Sequence, residues 1–68
     1  MSGVRSVHQV ETGLTASAKL IEAWVQDFPN DPGVLILTGS AIRVERIPDL
    51  IAMLQKIHRI ETAAGAMA

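Results

Sequence analysis

Val34-Leu-Ile-Leu-Thr-Gly-Ser-Ala-Ile-Arg-Val-Glu45 is the stretch whose reading decides the fold. Two short β-rich runs flank Gly39-Ser40, and glycine at the first central position is what a type II′ hairpin turn requires. With that loop, Thr38 faces Ala41, Leu37 faces Ile42, Ile36 faces Arg43 and Leu35 faces Val44. Side chains alternate across a strand. One face of the expected hairpin is therefore aliphatic, with Leu35, Leu37, Ile42 and Val44. The other is mixed: Val34, Ile36, Thr38, Ala41, Arg43 and Glu45.

On the N-terminal side, Leu14, Ala18, Ile21, Val25 and Phe28 recur at helical spacing, widened by Leu20 and Trp24. That stripe predicts an amphipathic helix over 14–28. Phe28-Pro29 ends it, since the residue before proline is driven out of the helical region. Asn30-Asp31-Pro32-Gly33 reads as a turn. On the C-terminal side, Pro48 suits a first helical turn and Asp49 favours the positive end of the helix dipole. Leu50, Met53, Leu54, Ile57, Ile60 and Ala64 then share one face of a second helix.

The expected fold class is α+β: a small αββα domain, two helices packed on one face of a β-hairpin and completed by homodimerisation. One domain spans 1–68, with 1–12 loosely ordered and 62–68 a frayed tail.

A chain of 68 residues is close to the lower limit for a self-sufficient core, and such domains commonly rely on disulfides, a metal or a partner chain. There is no cysteine, which removes disulfides and thiolate metal sites. His8 and His58 are fifty residues apart, without ligand spacing. No metal and no cofactor are expected, and a second copy of the chain becomes the expected staple. Val34 and Ile36 on the mixed hairpin face, with Trp24 and Ile51 on the helices, are the candidate residues for a dimer or partner interface.

A formal net charge of −1 lacks the basic excess of a general nucleic-acid or membrane-surface binder. Residues 41–60 are nonetheless locally basic. Arg43, Arg46, Lys56 and Arg59 are the candidate contacts if nucleic acid is bound, in the manner of a β-ribbon entering a groove.

Convergent catalytic groups are not visible. His8 and Glu11 are three apart, Thr15 and Ser17 have no histidine placed to activate them, and Gly39 stands alone without a phosphate-loop lysine. Met1–Arg5 is followed by no apolar run, so no secretory signal is expected, and Val34–Leu37 is too short to cross a bilayer. The expected protein is cytoplasmic and not an enzyme. It is read as a small interaction module, a regulator or inhibitor of the kind mobile elements and phages encode. The alternatives are a dimeric DNA-binding regulator and a structural subunit of a phage-type assembly.

Overall fold

In a computed structural model, residues 3–16 and 19–67 are described, with side chains as far as residue 63. The elements are β1 (Val4–Glu11), β2 (Leu20–Gln26), β3 (Val34–Thr38), a single 3-10 turn (Val44–Arg46) and α1 (Ile47–Met67). The strands form one antiparallel meander in the order β1-β2-β3, with β2 in the centre. The α+β class holds; the element order and the number of helices do not.

The segment expected to be the first helix is β2. Ile21, Ala23 and Val25 are buried, whereas Glu22, Trp24 and Gln26 are only half-buried, and that alternation is the signature of a strand. Ile21 and Val25 satisfy a period of two as well as a helical period, so periodicity alone is ambiguous here. What decides is pairing on both sides. Val10 lies opposite Ile21, and Leu35 and Leu37 lie opposite Val25 and Ala23. β-Branched Ile21 and Val25 and the aromatic Trp24 are the residue types that suit such a pleated surface. Ala18 and Ser17, which entered the helical reading, lie outside the described residues.

The first arm of the expected hairpin is correct and the second is not. Val34–Thr38 is a strand, but it pairs with β2. Residues 41–45 leave the sheet instead of returning along it. Gly39 does take a positive φ of 96°, as the turn reading required. The chain then lifts away, Ile42 packs against the core, and the Arg43 N–H donates to the Thr12 carbonyl at 2.9 Å. Val44 is consequently 80% exposed, and the four-residue aliphatic face expected for the hairpin does not exist. A side chain at Gly39 would place its Cβ 3.2 Å from Ile21 Cγ1.

Thr12 holds this crossover in place. It is 1% exposed, its N–H donates to the Lys19 carbonyl at 2.9 Å, and its hydroxyl accepts from the Leu14 N–H at 3.2 Å. The end of the β1–β2 hairpin and the approach to α1 are thereby joined through one residue.

The second helix opens where the sequence places it, on Ile47-Pro48-Asp49, but runs on to Met67, through the stretch expected to be a frayed tail. Met53 and Ile57 are buried against Val10, Ala23 and Val25, with Ile42, Leu50 and Leu54 closing the sides. Burying one such side chain contributes about 1.5–3 kcal/mol. The core is thus a single layer between α1 and one sheet face, weighted toward β1 and β2. On β3 the residues of that same face, Leu35 and Leu37, are 39% and 48% exposed.

Two substitutions separate this arrangement from the hairpin reading. Ile57→Ala should cost about 2–5 kcal/mol in denaturant unfolding, as for other fully buried aliphatics. At concentrations where the chain is monomeric, Leu37→Ala should cost less than half as much, because in a single copy Leu37 is already half in water. Equal losses at the two positions would mean that β3 is covered as fully as β1.

Candidate interaction face

The sheet face turned away from α1 is covered by no described element. By strand alternation it presents Val4, Val7, Gln9 and Glu11 from β1, Leu20, Glu22, Trp24 and Gln26 from β2, and Val34, Ile36 and Thr38 from β3. The register sorts these into two zones. Val4, Val7, Trp24, Val34 and Ile36 form an apolar zone at one end. Trp24 and Ile36 are direct cross-strand partners there, and the indole N–H donates to Gln26 Oε1 at 3.2 Å.

The other end is polar apart from Leu20, which lies opposite Glu11 and is 45% exposed. Gln9 donates to Glu22 at 3.0 Å, and the Thr38 hydroxyl donates to the Glu22 carbonyl at 3.2 Å. The charged residues among these strand positions, Glu11 and Glu22, are both acidic. Three of the candidate interface residues, Val34, Ile36 and Trp24, are thus brought together on one face. Ile51, the fourth, is 48% exposed on α1, on the opposite side of the sheet.

The basic candidates do not gather into one uncompensated surface. Arg43 pairs with Glu45, and Arg46 lies 3.9 Å from Glu11 and 3.6 Å from Asp49. Lys56 and Arg59 are exposed on α1; Lys56 borders a shallow groove with His8, Glu11, Arg46 and Asp49 along the β1 edge. His8 and Glu11, three apart on a strand, leave it toward opposite faces, so the helical juxtaposition read from their spacing does not form. His58 is exposed, and the Thr62 hydroxyl donates to its carbonyl at 2.6 Å.

A polar cluster that sequence reasoning missed sits beside β1. Between the Arg5–Val25 and His8–Ala23 pairs, β1 supplies Ser6 and Val7 where β2 supplies Trp24 alone, so the strand is bulged. Ser6 takes a φ of 54°, unusual for a residue other than glycine. That conformation turns its hydroxyl to Glu61 of α1, to which it donates at 2.6 Å. Arg5 bridges Glu61, at 2.7 Å, and Asp27. Asp27 in turn accepts from the Gly33 N–H at 2.8 Å, closing the β2–β3 connection. The cluster joins groups up to 56 positions apart, and no local pattern marks it.

The carboxyl groups of this cluster are held below their ordinary range. For Asp27 the causes are the Arg5 hydrogen bond and then the Gly33 N–H; for Glu61 they are the Ser6 hydroxyl and then Arg5. Among the described residues, no group of three or more His, Asp or Glu is placed to hold a metal ion, and no helix is long and apolar enough to cross a membrane.

Because the folded pKa values of Asp27 and Glu61 are depressed, their stabilisation is present above the ordinary carboxylate range. It is lost as pH falls through the depressed values, below the ordinary carboxylate range. Arg5→Gln should lower the Tm near neutral pH and flatten the acid-side fall. Superimposable Tm–pH curves for variant and wild type would show that the cluster contributes nothing.

A scan against protein-family models finds no match for this chain, and searches of curated proteins and of solved structures return no significant match.

Proposed function

We propose that this chain is a small non-enzymatic interaction module that acts as a homodimer and binds a partner protein on its open sheet face. The observation that carries the reading is the zone of Val4, Val7, Trp24, Val34 and Ile36 on a face that no described element covers. Val4 and Val7 are more than half exposed there. Tryptophan is among the residues enriched at binding hot spots, which cluster near the centre of an interface. The acidic end, Glu11 and Glu22, selects a partner whose apolar patch is bordered by lysine or arginine. A regulator or inhibitor working in the cytoplasm, including one encoded by a phage or mobile element, fits a chain of this size.

A DNA-binding regulator using Arg43, Arg46, Lys56 and Arg59 is the second reading. Lys56 and Arg59 favour it, both lying on the exposed side of α1. The ion pairs of Arg43 and Arg46 with Glu45, Glu11 and Asp49 weigh against it, because they offset the positive field a phosphate backbone needs.

Affinity capture of the tagged chain from its native lysate, with and without nuclease, separates the two. The interaction module should retain one dominant protein after nuclease treatment, and Trp24→Ala should lose it without loss of fold. Capture that disappears with nuclease, and that survives Trp24→Ala, would overturn the module in favour of the regulator.

A further inference from the structure

The two edges of the sheet are built differently. The β1 edge carries Arg5, His8 and Glu11 and a bulge at Ser6-Val7. Charges and bulges are the devices by which proteins keep an edge from pairing with another chain. The β3 edge has none of them: Val34-Leu35-Ile36-Leu37-Thr38 contains no charge, no proline and no bulge. It is apolar on both faces over four successive residues, the composition of a strand covered on both faces.

The main chain points the same way. Glu22 directs its N–H and its C=O to the Thr38 hydroxyl, at 3.3 and 3.2 Å. In the alternating antiparallel pattern, the N–H and C=O groups of Leu35 and Leu37 therefore point away from β2.

The area agrees. The chain exposes 4975 Å², whereas a compact monomer of 7.3 kDa exposes about 4,200 Å². Its radius of gyration, 13.4 Å, also exceeds the roughly 11 Å expected at this length. Part of the excess area lies on Leu35 and Leu37, which are 39% and 48% exposed although they face the helix side of the sheet.

We propose that β3 pairs antiparallel with β3 of a second copy, about a two-fold axis through Ile36, to give a continuous six-stranded sheet. This rests on the homodimer reading above and names its surface. Ile36 lies opposite its own counterpart as a non-hydrogen-bonded pair. Leu35 lies opposite Leu37 of the other copy, exchanging main-chain hydrogen bonds on both sides of the axis. Val34 lies opposite Thr38. Four leucines then cluster on the helix side, between the two helices, which accounts for the exposure of Leu35 and Leu37 in one copy. On the open side, the two zones centred on Trp24 and Ile36 become one. The pairing is isologous and leaves only the protected β1 edges at its ends.

The absence of cysteine makes the register directly testable. A non-hydrogen-bonded antiparallel pair has Cα atoms about 4.5 Å apart, within the roughly 4.4–6.8 Å that a disulfide spans. Under mild oxidant, Ile36→Cys should convert nearly completely to a covalent dimer. Val34→Cys and Thr38→Cys should cross-link poorly alone and well when mixed. In the unsubstituted protein, exchange of the Leu35 and Leu37 amides should slow as concentration rises through the monomer–dimer transition in sedimentation. An unsubstituted chain that stays monomeric at about millimolar concentration would overturn the homodimer itself. A dimer whose Leu35 and Leu37 amides exchange at an unchanged rate, or whose Ile36→Cys form does not cross-link, would overturn the edge pairing and leave the homodimer standing.

Discussion

The packing of Met53 and Ile57 onto Val10, Ala23 and Val25 is the contact from which the rest of this structure follows. A sheet of three strands has two faces, and one helix lies on a part of one of them. α1 covers β1 and the centre of β2, so the inward residues there are buried. The same layer ends before β3, and no described element lies on the far face. Every surface proposed above to take part in binding is a remainder of that geometry: the open face with Trp24, the half-exposed Leu35 and Leu37, and the β3 edge.

The sequence was legible wherever local chemistry decided the outcome. Ile47-Pro48-Asp49 opens α1 because proline and an acidic residue belong in a first turn, and Val34–Thr38 is a strand because its run of β-formers ends at Gly39. It was misleading where pairing at a distance decided. Ile21 and Val25 fit both a helical and a strand period, and β2 is a strand because neighbours on both sides require one. Residues 41–45 have the composition of a returning strand, but the Thr12 carbonyl takes the Arg43 N–H and draws the chain across to the helix. Of the candidate interface, Val34 and Ile36 share a face in either reading; their union with Trp24 depends on β2 being a strand and not a helix. The Arg5–Ser6–Asp27–Glu61 cluster had no local signal at all.

The bulge at Ser6-Val7 reconciles two demands on β1. The strand must align with β2 along its length, and it must also reach α1 near Glu61. One inserted residue serves both. It turns the Ser6 hydroxyl toward the helix while Val7 remains on the open face opposite Trp24, and it roughens the outer edge. The positive φ at Ser6 is thus set against a hydrogen bond to a carboxylate, a strong type of bond.

The same tie has a consequence for how the chain comes together. β1 leaves the ribosome well before α1, yet Arg5 and Ser6 meet Glu61, and Val10 meets the helix that carries Met53 and Ile57. During synthesis the meander can form early, since its contacts are between neighbours in sequence, but its inward face stays wet until the helix emerges. In that interval both faces of β3 are bare at once. A nascent chain of this kind is most exposed to chaperones, proteases and sister chains just before α1 is released from the exit tunnel.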